Sequence, residues 1–313
     1  MNKEDDIRLD QKVRAAWMYY IAGLNQSEIA SQLGTSRPVV QRLIAAAKDE
    51  GIVSIGLHHP VANCLDYAQL LKEKYQLTDC NIVPVYSIES TLDSVTFGCY
   101  QLMARYLQGD KPTIVGIGSG LTLKKTIKRI DFDSQNTRCV ALISAMNEHG
   151  QCNYYDDVPL LLARKIQGKY YQWPAPRYAQ SREEYQMWST NRLFRNVSTV
   201  ARDSDVIFVG IGALGRQSPI FKDGFIDEQQ LEELTARGGV GEILGRFIDA
   251  EGNVVESQIN QMITSHDIRE SNCPRIAAAC GEDKRPAILA ALKGGWINGL
   301  VTDEHTARWL LTR

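Results

Sequence analysis

An α/β protein with a separate helical front end is the fold class this sequence predicts, and three observations predict it. Residues 13–51 carry apolar side chains at helical spacing in short runs punctuated by Gly23, Gly34 and Gly51. From about residue 80 onward, apolar runs alternate with amphipathic ones, the order that builds a parallel sheet covered by helices. Several of those runs, TIVGIG at 113–118 and VIFVGIG at 206–212 among them, are apolar throughout and contain or end in glycine, as strands buried on both faces do. The predicted architecture is a helix-turn-helix, winged-helix-like domain over residues 1–57 and a doubly wound, mostly parallel α/β domain over residues 58–313.

The elements follow in order. VRAAWMYY (13–20) is a helix ending near Gly23. Asn25 or Gln26 opens a second helix through Leu33, closed by Gly34, and a third begins with Thr35 or Ser36 as N-cap and Pro38 in its first turn, running to Gly51. GIVSIGLHH (51–59) reads as a β-like wing, and His58-His59-Pro60 marks the domain boundary. CLDYAQLLKEKY (64–75) is an amphipathic helix, both linker and subunit contact. Then come strand NIVPVY (81–86), helix FGCYQLMARYLQ (97–108), strand TIVGIG, helix LTLKKTIKRI (121–130) and strand RCVALIS (138–144). YYQWPAP (170–176), one long helix over 183–204, strand VIFVGIG and a short strand EILGRFIDAEG (242–252) continue the alternation. RPAILAALKGGWINGLVTDEHTARWLL (285–311) closes it as helix, then strand.

Composition narrows the class. With 44% hydrophobic and 23% charged residues over 313 positions, the chain has the balance of a folded cytoplasmic protein of two domains. Its start has no apolar leader, and no run approaches the roughly 18 apolar residues of a membrane span. Seven cysteines, an odd number with no C-x-x-C pair, suggest neither a disulfide framework nor a metal cage, and no cofactor is implied. The net charge of −2 hides a split, because residues 11–48 carry Lys12, Arg14, Arg37, Arg42 and Lys48 against the single acid Glu28. That local excess suits a phosphate backbone.

Ser36, Arg37 and Gln41 lie on the first turns of the third helix, where side chains reach base edges, while Arg42 and Lys48 are better placed for phosphates. Gln26 and Val39 complete the candidate DNA-facing set. A blander reading is that three short helices merely dimerise. The second constellation is T113-I-V-G-I-G-S-G-L-T-L-K-K-T126, an apolar strand running through Gly116, Gly118 and Gly120 into a helix. Backbone N–H groups and the helix dipole converge there on an anion, although tight turns use the same glycines. The loop lacks the G-K-[ST] ending of a triphosphatase and fails the dinucleotide fingerprint at its fifth and sixth positions. Asp249 would accept from sugar hydroxyls and Lys293 would neutralise a phosphate; the competing readings are a hairpin carboxylate and a solvated lysine. Trp173-Pro-Ala-Pro176 with Tyr154, Tyr155, Tyr170 and Tyr171 is read as core packing ahead of a pocket or subunit interface. No nucleophilic triad is apparent, so no catalytic residue is assigned.

Four ordered segments resemble the SorC family of sugar-responsive bacterial regulators: Y19-Y-I-A-G-L-N-Q-S-E-I-A-S-Q-L-G-T-S-R37, G116-I-G-S-G-L-T122, G239-V-G-E-I-L-G-R-F-I-D-A-E-G252 and K293-G-G-W-I-N-G-L-V-T-D303. The resemblance implies an effector domain similar to the sugar-isomerase and CoA-transferase fold, with catalysis lost. It also implies that Gly118, Ser119, Gly120, Leu121 and Thr122 hold a sugar or sugar-phosphate effector, with Lys293 at its phosphate and Asp249 at its hydroxyls. Two departures stand out: Ser119 occupies a position where the family often has an aromatic ring, and S144-A-M-N147 replaces paired glycines. The function expected is a repressor of a carbohydrate operon, a homotetramer built as a dimer of dimers on operator DNA. The alternative is a sugar-phosphate isomerase or deaminase tethered to DNA.

Overall fold

Local capping signals build the front of the chain. The computed structural model describes residues 3–53, 59–144, 146, 152 and 158–313, apart from the side chains of residues 3–6 and 60. The chain divides into two units, 1–59 and 60–313. In the first lie α1 (Lys3–Tyr20), α2 (Gln26–Gln32) and α3 (Arg37–Asp49). Asn25 caps α2 by accepting from the Ser27 and Glu28 N–H groups, while the Glu28 carboxylate accepts from the Asn25 N–H at 2.7 Å. Such a reciprocal box stabilises a helix start by about 1 kcal/mol. Ser36 caps α3 without a side-chain bond, followed by Pro38. Ala15, Ile29, Ala30, Val40 and Ile44 close the small core.

Here α1 begins at Lys3, well before the Val13 that periodicity indicates, because its first half has no apolar stripe to signal a helix. Arg14 pairs with Asp10 one turn back at 2.6 Å, and Lys12 reaches Glu50 beyond α3 at 2.5 Å. Ile52 and Val53 lie outside any strand, and the rest of the expected wing, 54–58, falls outside the described residues.

The larger unit opens with α4 (Pro60–Tyr75), β1 (Asp79–Val83), α5 (Thr91–Leu107), β2 (Thr113–Ile117), α6 (Leu121–Lys128) and β3 (Thr137–Ala141). Next come α7 (Val158–Lys165), β4 (Lys169–Tyr171), α8 (Arg182–Thr190), α9 (Arg192–Arg202), β5 (Val206–Val209), β6 (Gly212–Ala213), α10 (Pro219–Lys222) and α11 (Glu228–Ala236). The chain finishes with β7 (Gly239–Ile243), β8 (Arg246–Asp249), α12 (Gln258–Gln261), β9 (Arg275–Ala278), α13 (Arg285–Lys293), β10 (Gly299–Asp303) and α14 (Glu304–Leu311). Seven strands form one parallel sheet in the order β1-β10-β9-β5-β2-β3-β4.

Every residue of β2, β5 and β10 is buried, which explains why those segments read as unbroken apolar runs. One face packs on α5, α6 and α7 through residues such as Met103, Leu123 and Leu162. The other packs on α4, α9, α13 and α14 through Leu71, Val197, Ile288 and Leu310. From β2 the chain steps outward to β3, whereas β5 lies on the opposite side beside β9. The carboxyl ends of β2 and β5 therefore flank a topological switch point, the place where open α/β sheets form crevices.

Two expected elements differ, and one strand was not expected. The single helix over 183–204 is two, because Asn191 leaves helical geometry at ψ 133° and its side chain caps α9 by accepting from the Leu193 and Phe194 N–H groups. The single short strand expected over 242–252 is instead the end of β7, a turn and β8: Leu244 and Gly245 take φ values of +52° and +78°, the paired left-handed geometry of a tight β-turn that reverses the chain into a hairpin. With β6 this hairpin makes a second, antiparallel sheet over a satellite core that includes Phe225, Leu234 and Phe247. Finally, β9 was hidden in an alanine-rich segment with little intrinsic strand preference.

Candidate functional site

A cavity of about 540 Å³ opens at the switch point. Its floor is the loop from β2 to α6, where Ser119, Gly120, Leu121 and Thr122 line the space. Gly120 stands at φ +119° as N-cap of α6 and offers no side-chain bond to the first turn, so the N–H groups of Leu121, Thr122 and Leu123 find no side-chain cap among the described residues. Those donors and the positive end of the helix suit an anion or a hydroxyl oxygen. Thr122 is buried and adds its hydroxyl to the wall. Gly118 lies one step deeper: its N–H donates to the Phe208 carbonyl at 2.9 Å, and a Cβ there would meet the Leu244 side chain at 3.0 Å. It serves packing beneath the cavity and does not line it.

The second sheet supplies the opposite wall. Glu242 on β7 faces the cavity, and one of its oxygens accepts from the Gly245 N–H at 2.6 Å. Burial pushes its carboxyl above the usual range, against the opposing pull of that N–H, Arg177 and Lys284. Arg177, 95% buried as its 5% exposure indicates, donates from Nε to the Ser144 carbonyl at 3.1 Å and stacks its guanidinium 3.6 Å from the Phe225 ring centre. Lys284, just before α13, lines the same space and makes no ion pair among the described residues. Gln217 and Asp223 complete the polar rim, while Leu92, Ile211 and Leu214 give it apolar patches. Hydroxyl-rich ligands fit such alternation of carboxylate, cation and backbone N–H.

Two residues expected here are elsewhere. Asp249 binds its own turn: its carboxylate accepts from the Glu251 and Asn253 N–H groups, both at 2.9 Å, and these bonds hold its pKa low despite an opposing desolvation. Lys293 pairs with the Glu251 carboxylate at 2.8 Å on the surface. Neither lines the cavity. The glycine-rich segments that carry them form a clasp instead, in which Gly252 and Gly294 meet backbone to backbone and the buried Trp296 donates from Nε1 to the Gly252 carbonyl at 2.7 Å. A Cβ on Gly252 would stand 2.6 Å from the Gly294 nitrogen.

Sequence reasoning therefore missed Arg177 and Lys284, which stand outside the quoted motifs, and passed over Glu242 inside the 239–252 motif; the three become neighbours only when the satellite sheet folds over the β2 loop. Of the aromatic cluster, Trp173 is buried and meets Phe194 edge to face at 5.1 Å, whereas Tyr154 and Tyr155 fall outside the described residues.

In the smaller unit, Val40, Ile44 and Ala47 turn one face of α3 inward. Ser36, Arg37, Gln41, Arg42 and Lys48 are exposed, and Gln26 and Val39 are half-buried beside them. Arg37 donates from Nε to the Gln26 side-chain oxygen at 3.3 Å, so the start of α3 is linked to the start of α2.

Comparison with known proteins places this arrangement. Residues 59–312 match the family model described as "Putative sugar-binding domain". The erythritol catabolism regulatory protein EryD of Brucella abortus (strain 2308) is 30% identical over 302 residues, spanning 96% of this chain and 95% of that protein. The transcriptional regulator LsrR of Escherichia coli (strain K12) is 31% identical over 313 residues, spanning 96% and 94%. Among solved structures, the full-length sorbitol operon regulator SorC from Klebsiella pneumoniae superposes with a TM-score of 0.73 at 26% identity, covering 98% of this chain and 99% of that one. With its parallel sheet, its cavity at the switch point and its helical front unit, the chain belongs to the SorC family of sugar-binding transcriptional regulators.

Proposed function

We propose that this protein represses a carbohydrate-utilisation operon in the cytoplasm by binding operator DNA through α3 and releasing it when a sugar or sugar phosphate fills the switch-point cavity. One observation carries the effector half: the uncapped first turn of α6, Glu242 and Lys284 surround a single cavity. An anionic or hydroxyl-rich end would sit at Gly120–Leu123 beside Lys284, and further hydroxyls would meet Glu242 and Asp223. The reading is non-catalytic. A thermal-shift screen of free and phosphorylated sugars tests it: the cognate effector raises the melting temperature by mass action and is recovered unchanged, and turnover of the ligand would favour an enzyme.

For the DNA half, the exposed cationic face of α3 is the support. Replacing Arg37 with alanine is expected to weaken operator binding by about tenfold or more without altering effector affinity. Equal retention of the operator fragment in a gel-shift titration would remove Arg37 from the interface.

Assembly follows the same reading. Leu9, Val13 and Trp17 repeat every fourth residue along α1 and are exposed, as are Val61 and Leu65 one turn apart on α4. Two separate apolar surfaces are what a dimer of dimers needs, since closed symmetry requires two kinds of self-complementary contact. Trp17→Glu is expected to halve the mass seen by light scattering, and an unchanged mass would exclude α1 from the assembly.

A further inference from the structure

A second cavity, about 420 Å³, lies in the larger unit and shares no wall residue with the first. Its side is one stripe of α9, where Arg195, Ser198, Thr199 and Arg202 recur at the spacing that places side chains on one helical face. Its floor is the loop 264–267, fixed to the main sheet because the His266 N–H donates to the Leu142 carbonyl at 2.9 Å. Arg246 enters from β8.

Three features make this a built site. Ser265 is 6% exposed and lines the cavity, yet its hydroxyl has no hydrogen-bond partner among the described residues; the Ser198 hydroxyl is buried and equally unmatched. A buried hydroxyl without a partner is costly to the fold, a cost that a bound polar atom would recover. Arg246 is also short of partners. Its guanidinium makes one long bond, Nη2 to the Ser265 carbonyl at 3.5 Å, and lies 5.9 Å from the Trp296 ring centre, with no ion pair among the described residues. Burial pulls its pKa down, against the partial offset of the Asp267 charge.

The acids nearby are already engaged. Asp267 holds Arg269 through a two-pronged contact of 3.0 and 2.7 Å, and Glu270 meets Arg202 at 3.5 Å. Arg195 donates only to the Ser189 carbonyl, at 3.1 Å, and remains available to a charge of opposite sign. His266 shares a 2.9 Å bond with the Ser271 hydroxyl, and desolvation lowers its pKa to about 4, so it adds no positive charge at neutral pH. Trp173 and Phe194 line the apolar side.

We propose that this cavity is a second ligand site for a small organic oxyanion, a carboxylate or phosphate, received by the Arg246 and Arg195 guanidinium groups and the Ser198 and Ser265 hydroxyls. A guanidinium fork matches either oxyanion in two-point geometry, and the aromatic edge accommodates a short carbon skeleton. The site is independent of the effector cavity.

Calorimetry on the full chain tests it, with citrate as the carboxylate probe, inorganic phosphate as the phosphate probe and glycerol as the neutral control. At least one anion is expected to bind saturably, with glycerol silent, and whichever binds identifies the chemistry. Arg246→Gln should weaken that binding about tenfold, and Ser198→Ala, which removes a hydroxyl without a hydrogen-bond partner among the described residues, severalfold. Lys284→Ala, in the other cavity, should leave it unchanged. The proposal is overturned if neither anion binds saturably up to about 10 mM, an affinity so weak that a paired guanidinium contact would be missing. It is also overturned if Lys284→Ala abolishes the binding while Ser198→Ala and Arg246→Gln retain it.

Discussion

Two glycine-rich regions of this protein look alike in sequence and do opposite things. At the mouth of the loop 116–122, Gly120 holds space open: a Cβ there would meet nothing within 4 Å, and the backbone donors of α6 are left to line a cavity, while Gly116 and Gly118 behind it are close-packed. The clasp formed by 249–252 and 293–296 keeps its glycines to shut space, since a Cβ on Gly252 would strike the Gly294 backbone and the Ala290 carbonyl. Glycine at a strand or helix end thus signals close backbone approach, and the approaching partner is either a ligand or the chain itself. Charge does not separate the cases either. Lys293 at the clasp and Lys284 at the cavity are both near an end of α13, but only one has its ammonium spoken for by a carboxylate.

The largest effect that sharpens the contrast is expected at Gly252→Ala. With φ at +82° and no room for a Cβ, it should destabilise the larger unit by about 3 kcal/mol or more, read as a drop in denaturation midpoint. A midpoint within error of the parent would mean that the clasp yields easily. Next, Lys284→Ala should weaken effector binding about tenfold with little change in stability, the behaviour of a lysine that meets ligand instead of protein. Thr122→Val, which removes a hydroxyl from the cavity wall at nearly constant volume, should cost roughly threefold to tenfold in affinity for the same ligand.

Glu242→Gln has a smaller, pH-dependent effect. The carboxyl is pushed above its ordinary value of 4.5 in the folded chain, so the native state favours its protonated form. Its contribution to stability is complete below that ordinary value and falls as pH rises through the folded-state pKa. The variant should therefore gain melting temperature relative to the parent as pH is raised from about 4.5 toward neutrality. A difference that stays flat across the range would show that burial leaves the carboxyl's ionisation unshifted. Least of all, Lys293→Ala should cost no more than about 0.5 kcal/mol, because the pair with Glu251 is open to solvent. Loss of effector affinity in that variant would return Lys293 to the binding site and dissolve the comparison.

The fold was readable wherever the signal is local or periodic. Apolar runs at 113–118 and 206–212 announced buried parallel strands, and Asn25, Ser36 and Pro38 announced helix starts, because capping and burial depend on residues within a few positions of one another. Interruptions were harder. Asn191 splits a helix without glycine or proline to mark the break, and Leu244 enters left-handed geometry that a leucine rarely adopts, held there by burial against the Gly118 floor.

By itself the sequence determined the alternation of strands and helices, the basic front helices and the loop that ends β2, since these follow from spacing and from the few side chains that cap, turn or bury. Only the tertiary structure decided which charges share a cavity. Arg177, Glu242 and Lys284 come from three distant segments and converge because the satellite sheet lies over the switch point. Asp249 and Lys293, conspicuous in their motifs, found partners four and forty-two residues away that satisfied them first. A side chain's chemistry is set by its composition, but its availability is set by whichever neighbour the fold brings within a hydrogen bond.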